Sequence, residues 1–443
     1  MATRGTSTEV PFFQSEVETL ERPALRALQL ERLRRLLEEL VDANPFYRQK
    51  WQAAGVRPLQ DIRGLDDLPR LPLTTKAELL ADQEAHPPFG TVLTYPLERY
   101  SRLHLTSGST GRPLRWLDTP RSWEWWCHCW GFVYAAAGVG PADRVFFPFS
   151  FGPFIGFWAG FDAATRLGAL AVPGGGQDSA LRLRTMQEIG ATVLVCTPSY
   201  ALRLAQVARE QGLDPAALPV RVTIHAGEPG ASIPATKQRI ERAWGARSFD
   251  HYGMTEVGAV GFECLARTGG LHLNESEFIA EVLDPATGET AAEGEGELVL
   301  TNLGRAGSPV IRYRTGDRVR LVTAPCPCGR TFARLDGGVL GRVDDMVVIR
   351  GVNVFPSAIE EIVRRHPAVD EFRIEVYRQD EMDRVRVLLE IDEGRHGAAV
   401  RDQTVAAVAE ALRLSFGLRI ETYAVAAGTL PRFELKAKRL VRI

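Results

Sequence analysis

The chain has no charge excess to offer a polyanion: 53 Lys and Arg stand against 55 Asp and Glu, a formal net charge of -2 over 443 residues. A surface balanced in this way provides no field for nucleic acid or an anionic membrane, so neither is expected as a partner and small molecules are favoured. Residues 1–14 hold one basic residue, Arg4, and no apolar core, and residues 22–41 are studded with charge. No secretory leader is therefore expected, and a cytoplasmic location is. Cysteine is scarce, with six in all (Cys127, Cys129, Cys196, Cys264, Cys326, Cys328). In a long chain without a leader these read as reduced thiols, some of them metal ligands, rather than as a disulfide framework. Only residues 145–161 form a long uncharged run, and its Gly152, Gly156 and Gly160 make two GxxxG steps. It is slightly short for a bilayer, and Pro148 and Pro153 among glycines and phenylalanines suit a buried strand, a turn and a helix start.

What is present suits a globular enzyme, since 45% hydrophobic and 24% charged residues over this length can bury a core and build two or three domains. Residues 22–42 place Leu25, Leu28, Leu30, Leu33, Leu36, Leu37 and Leu40 at helical spacing, an amphipathic packing helix. Between 101 and 301, short Val/Ile/Phe runs (144–149, 169–172, 192–196, 221–225) alternate with helical stretches such as 180–187, which implies crossover units and buried, mainly parallel sheets. Residues 294–302, 309–314 and 318–322 read as strands of a smaller β region. Beyond 341–345, a helix over 357–365 opened by Pro356, strands at 371–377 and 385–391 and a helix at 398–414 describe a small α+β unit. The expected fold is therefore α/β, with a large N-terminal body over 1–342 and a C-terminal lid over 343–443.

Residues 105–113, Leu-Thr-Ser-Gly-Ser-Thr-Gly-Arg-Pro, concentrate hydroxyls and glycines as a phosphate cradle would. Glycines let successive N–H groups turn toward one anion, and Ser107, Ser109 and Thr110 can add donors. No Gly-Lys-Ser/Thr follows, so this is not a Walker A loop; alone it could equally be a flexible turn. Two further motifs, His-Ala-Gly-Glu-Pro at 225–229 and Asp-His-Tyr-Gly-Met-Thr-Glu at 250–256, end expected strands, where open α/β sheets bind ligands. Tyr252 can stack on a purine, Asp250 can accept from its amino group, Thr255 can reach a phosphate, and Glu256 is a hard oxygen ligand for Mg²⁺. Asp317 sits on an expected tight turn where it could take a ribose diol, and residues 341–345 read as a charged hinge.

In order and spacing, residues 106–113, 250–256, 313–317, 341–353 and the terminal Pro-Arg-Phe-Glu-Leu-Lys at 431–436 resemble the core motifs of the acyl-adenylate-forming superfamily. Residues 44–48, 197–200, 226–229, 309–314 and 349–356 are similar specifically to its phenylacetate–coenzyme A ligase branch, and the likeness covers the chain from about Leu25 to the end. It implies that ATP, Mg²⁺, a small carboxylic acid and coenzyme A are the partners. By the same resemblance, Ser107, Gly108, Ser109, Thr110 and Gly111 would hold the β- and γ-phosphates, Gly227, Glu228, Pro229, Asp250, His251, Tyr252 and Gly253 the adenine region, Thr255 the α-phosphate, Glu256 the Mg²⁺, and Asp317 with Arg342 the ribose. Lys436 would be the adenylation lysine, with Lys438 as its rival, and Asp344 the hinge. That assignment makes chemical sense, because negative charge builds as the carboxylate attacks the α-phosphorus, and Lys⁺ with Mg²⁺ neutralises it. The chain departs from the family pattern at Arg112 and Leu114, where a Lys is usual, and at Leu435, where Gly is usual.

Phe149, Phe151, Gly152, Phe154, Ala226 and His251 are the expected acyl pocket, whose aromatic walls with glycine gaps suit a flat ring; the bland alternative for the Phe run is core packing. His251 falls where the family has an apolar residue, which suggests a polar contact to a ring substituent or to the carboxylate. Cys264, His272, Cys326 and Cys328 are soft ligands that suit a tetrahedral structural Zn²⁺, against the alternative of plain buried residues. Cys127, His128 and Cys129 do not read as a metal site, since neighbouring side chains diverge on a helix. The reaction expected is activation of a small aromatic acid, benzoate-, anthranilate- or phenylacetate-like, followed by transfer to coenzyme A. Transfer to a carrier-protein thiol or an amine, and a non-catalytic adenylate-binding homologue, are the alternatives. A homodimer is left open.

Overall fold

The computed structural model describes residues 11–106, 113–153, 155–343, 345–349, 352–379, 382–433 and 437–443. Residues Ser107, Gly108, Ser109, Thr110 and Gly111, together with Phe154, Asp344 and Lys436, lie outside the described residues. The opening helix, Arg22–Leu40, has Pro23 in its first turn and buries Leu25, Leu33, Leu36, Leu37 and Leu40. Each leucine so buried contributes roughly 1.5–3 kcal/mol. Gln29 shares that stripe and is itself buried, because its Nε2 donates to the Phe278 carbonyl at 3.0 Å and ties the helix to the sheet.

A twelve-stranded sheet organises the body, in the order Thr290–Ala291, Phe278–Leu283, Gly294–Asn302, Tyr313–Val322, Arg334–Arg342, Arg267–Leu273, Gly258–Cys264, Arg247–Met254, Val222–His225, Val193–Cys196, Arg144–Phe147, Leu170–Pro173. The last five strands are parallel. Helices Ile155–Arg166, Ser179–Ile189, Pro198–Glu210 and Pro234–Trp244 make the crossovers between them. From Arg247 to Arg342 no helix intervenes, so each strand can only turn back antiparallel. The α/β class stands, but the antiparallel share is larger than expected and is continuous with the parallel half.

One expected pair of strands also changes. Residues 313–322 form a single strand, and 309–311 lie outside it. Arg312 adopts φ +48°, a left-handed conformation, and its buried guanidinium holds the bend by donating to Glu281 Oε2 at 2.9 Å and to the Leu71 carbonyl at 2.5 Å. The 145–161 run resolves into the strand Arg144–Phe147, a loop, and the helix Ile155–Arg166, with Gly160 against Trp130, where a Cβ would come within 3.1 Å of the indole. Among the described residues no helix is long and apolar enough to cross a membrane. Thr119 caps the helix Pro120–Ala136, accepting from the Ser122 N–H, and this helix buries Trp123, Trp125, Trp126, Cys127, Cys129 and Trp130.

A separate apolar cluster, including Ile359, Val363, Phe372, Val387, Leu389, Val408 and Leu412, forms the core of the C-terminal unit. Its four-stranded sheet runs Glu421–Val425, Met382–Ile391, Val369–Gln379, Leu440–Arg442, with the helices Pro356–Arg364 and Ala398–Phe416 beside it. The unit docks on the start of the helix Pro234–Trp244. There Glu361 accepts from the Ala235 N–H at 2.8 Å, Thr236 donates to Glu360 at 3.1 Å, and Arg239 donates to the Val369 carbonyl at 3.0 Å.

Candidate active site

The strand Arg247–Met254 is the junction between the parallel and antiparallel halves. The 250–256 motif ends this strand as expected: the strand runs to Met254 and leaves Thr255 and Glu256 in the following turn. Successive side chains of a strand alternate between faces. On one face the Tyr252 hydroxyl donates to Asp317 Oδ2 at 2.7 Å, and Arg342 Nη1 donates to Asp317 Oδ1 at 3.3 Å and to the Thr315 carbonyl at 3.2 Å. Asp317 and Arg342 are direct partners across two adjacent strands. Gly316, at φ +73°, is required here: a Cβ would meet Arg342 Nη2 at 2.6 Å. Asp250 is buried beside them, and burial, reinforced by the negative Glu263, pushes its carboxyl up to about 7.

Glu256 is almost wholly buried, with Tyr313 Oη 3.3 Å and Lys76 Nζ 3.4 Å from its Oε1. Lys76 opens the helix Lys76–Ala85, which Thr75 caps, and sequence reasoning missed it. It also missed the ion pair below the turn. Arg305 and Asp118, both fully buried, are joined at 2.8 and 2.6 Å, and Arg305 Nη1 donates to the carbonyls of Thr255 at 2.6 Å and Glu256 at 3.3 Å. The guanidinium lies between Trp116 and Trp126, 5.5 and 5.1 Å from their rings.

Gly227, at φ +95°, and Pro229 flank Glu228 beyond the strand Val222–His225. Each Glu228 oxygen accepts from a backbone N–H group, of Ser199 at 2.8 Å and of Ala437 at 2.5 Å.

On the opposite face of the junction strand, the His251 ring packs tilted against Trp130, its centroid 4.4 Å away, and its Nδ1 lies 2.7 Å from the Gly261 carbonyl. A carbonyl only accepts, so Nδ1 carries the proton. Burial lowers the imidazole to about 4, leaving it neutral with its lone pair at Nε2, for which no hydrogen-bond partner is found among the described residues. The loop after Arg144–Phe147 supplies an aromatic group: Phe149 lies 4.7 Å from Phe157, and Phe151, held at φ +44°, lies 4.7 Å from Trp158. Trp158 donates to the Gly152 carbonyl at 3.0 Å. Ala226, partly buried, packs against the same core as Phe149.

The four expected soft ligands come together. The ligand atoms of Cys264, His272, Cys326 and Cys328 all lie within 4.8 Å of one another, with Cys264 Sγ to Cys326 Sγ at 3.8 Å and Cys328 Sγ to His272 Nε2 at 3.4 Å. A tetrahedron with Zn–S of about 2.3 Å and Zn–N of about 2.05 Å has edges near these lengths. His272 Nδ1 sits 3.2 Å from the Phe332 carbonyl, which directs the Nε2 lone pair at the cluster.

A mixed sheet with a docked α+β unit, and a carboxylate–tyrosine–arginine group at the junction strand, define an adenylate-forming enzyme. Residues 73–304 match the AMP-binding enzyme model and residues 351–442 the AMP-binding enzyme C-terminal domain. The chain belongs to the AMP-binding enzyme family and is phenylacetate–coenzyme A ligase-like. It is 37% identical over 385 residues to a phenylacetate–coenzyme A ligase of Thermus thermophilus, covering 86% of this chain and 84% of that one. A second such ligase, of Escherichia coli, is 35% identical over 431 residues, 96% of each chain. Among solved structures, a 2-hydroxyisobutyryl-CoA ligase in the postadenylation state with 2-HIB-AMP is 30% identical, covers 100% of this chain and 94% of its own, and superposes with TM-score 0.93. The same ligase in the thioesterification state with 2-HIB-AMP and CoA is 32% identical, covers 96% and 91%, and gives 0.73.

Proposed function

We propose that the enzyme joins a small aromatic carboxylic acid to ATP, giving acyl-AMP and pyrophosphate, and then passes the acyl group to coenzyme A. The observation that carries this reading is the junction strand, which holds Tyr252 to the Asp317 and Arg342 group on one face and His251 against Trp130 on the other. The named relatives support the ligase class. Ser107 to Gly111 are assigned to the phosphates, Thr255 to the α-phosphate, Glu256 to Mg²⁺ and Lys436 to neutralising the charge of adenylation. The Cys264–His272–Cys326–Cys328 group would hold a structural Zn²⁺, whose four protein ligands leave no position open for substrate. Body and lid divide at 342/343, with Asp344 as the pivot between two half-reactions that need different surfaces.

The acid itself can be narrowed. A neutral His251 that already donates through Nδ1 presents an acceptor at Nε2, so the ring substituent it meets must be a donor, a hydroxyl or an amino group. Acid-dependent pyrophosphate release is measured over benzoic, arylacetic and aliphatic acids, with and without coenzyme A. Release with aryl acids and thioester formation with coenzyme A are expected. Release with aliphatic acids only, or no thioester when coenzyme A is supplied, would overturn the reading.

A further inference from the structure

The carboxylate of Glu228 joins two parts of the chain that lie in different domains. Its Oε1 accepts the N–H of Ser199 at 2.8 Å, in the first turn of the helix Pro198–Glu210, and its Oε2 accepts the N–H of Ala437 at 2.5 Å. Ala437 leads into the strand Leu440–Arg442, which pairs with the lid strand Val369–Gln379. Between them Arg439 donates to Glu371 of the lid at 2.7 and 3.1 Å and to Ser199 Oγ of the body at 2.9 Å. The terminal segment is thus bolted to the lid through Glu371, and it meets the body at one helix start through both Ala437 and Arg439.

The chemistry at that helix start is directional. The first N–H groups of a helix have no partner within it and carry partial positive charge, so a carboxylate is the natural group to receive them. Glu228 receives one with Oε1, and the second oxygen is left to take an N–H from another element. Burial disfavours the charge on Glu228 and raises its carboxyl above the usual range, and the nearby Arg439 and the two backbone donors oppose that rise only in part. A buried carboxylate held this way depends on Ala437: were the segment to leave, one oxygen would lose its donor.

In sequence, Ala437 directly follows Lys436, so the residue that Glu228 holds is the chain neighbour of the proposed adenylation lysine. The postadenylation and thioesterification states of the solved 2-hydroxyisobutyryl-CoA ligase match this chain with TM-scores of 0.93 and 0.73, so the arrangement in which Glu228 grips Ala437 is the one resembling the former. We infer that Glu228 is a positioning residue for adenylation: it clamps the segment bearing Lys436 to the body for the reaction of acid with ATP, and the clamp opens for transfer to the thiol. The inference rests on the reaction proposed above and on the role given there to Lys436.

The test is to replace Glu228 by Gln, which keeps the length but leaves one oxygen and turns an NH₂ toward the other donor, and by Asp, which keeps the charge and shortens the reach. Acid-dependent ATP–pyrophosphate exchange should fall ~10- to 100-fold in Glu228→Gln, the effect of losing a hydrogen bond to a charged group, and less in Glu228→Asp. Thioester formation from supplied acyl-AMP and coenzyme A should fall much less than the exchange in both variants. Trypsin should cut the full chain faster at Arg432 or Arg439 in Glu228→Gln, with the melting temperature of the body unchanged. Wild-type exchange in both variants, or equal loss of the two half-reactions, would overturn the clamp. If the wild-type enzyme releases no pyrophosphate with any acid, the proposed reaction fails and the trypsin comparison still decides the clamp: unchanged cleavage rejects it.

Discussion

Arg305 and Asp118, 187 residues apart, form a fully buried ion pair whose guanidinium also donates to the carbonyls of Thr255 and Glu256. The pair therefore does two things: it neutralises charge under the sheet and fixes the turn on which the proposed Mg²⁺ carboxylate stands. Breaking a buried pair by removing one partner costs ~3–5 kcal/mol, because the other charge is left uncompensated. Arg305→Met should lower the denaturation midpoint accordingly and weaken Mg²⁺-dependent pyrophosphate release. The double variant Arg305→Met/Asp118→Leu should recover stability but not activity. Recovery of both would show that the turn does not need Arg305.

The Cys264–His272–Cys326–Cys328 group gives a metal prediction. Elemental analysis of protein purified without chelator should find about one zinc per chain, and its removal should lower the melting temperature in the way a closed structural site implies. Cys264→Ser should reduce zinc content in parallel with stability. Protein free of metal with an unchanged melting point would reject the site.

Asp250 gives a pH prediction with a defined sign. Burial and the Glu263 charge raise its carboxyl from the usual 3.8 to about 7, so the folded chain binds that proton more tightly than the unfolded chain. The stabilisation is full below pH ~4 and is lost as pH rises toward 7. Chemical denaturation of the wild type and Asp250→Asn should show a stability difference that shifts in favour of the variant across that window and levels off above it. A difference independent of pH would mean that Asp250 does not titrate there.

His251 predicts a change of preference rather than a loss of function. Replacing it by Phe removes the acceptor at Nε2, and a site built to hydrogen-bond a substrate donor discriminates strongly against the analogue lacking it. Acids with a ring hydroxyl or amino group should lose kcat/KM ~10-fold or more in His251→Phe, while unsubstituted aryl acids should gain. Because burial holds the imidazole near 4, this preference in the wild type should not vary between pH 6 and 8. An unchanged substrate ranking would place His251 outside acid recognition.

Much of this was readable in the sequence because it is local. Helix starts at Thr119, Asp178 and Thr197 announce themselves by a side chain that accepts from an N–H three residues on. The parallel strands stand out as short Val- and Phe-rich runs separated by helices, and the Cys and His ligands by their rarity. What stayed hidden depends on distance along the chain. Nothing near Lys76 signals that it will face Glu256, and nothing near Asp118 signals Arg305, since each pair forms only once the sheet has brought its members together. The merging of the expected strands 309–314 and 318–322 has a similar origin: Arg312 turns the chain for the sake of Glu281 and the Leu71 carbonyl, both remote in sequence.

The alternation of the strand Arg247–Met254 has an evolutionary consequence. Its side chain at 252 faces Asp317, and the side chain at 251 faces Trp130 on the other side. On the roles proposed above, recognition of the nucleotide and recognition of the acid would be written on opposite sides of one ribbon, at consecutive codons. On those proposed roles, a point change at 251 would retarget the enzyme to a new acid while ATP use is inherited intact. A single-residue insertion upstream would exchange the two sides at once. Lineages of this fold should accordingly diversify by substitution in this strand and almost never by changes in its length.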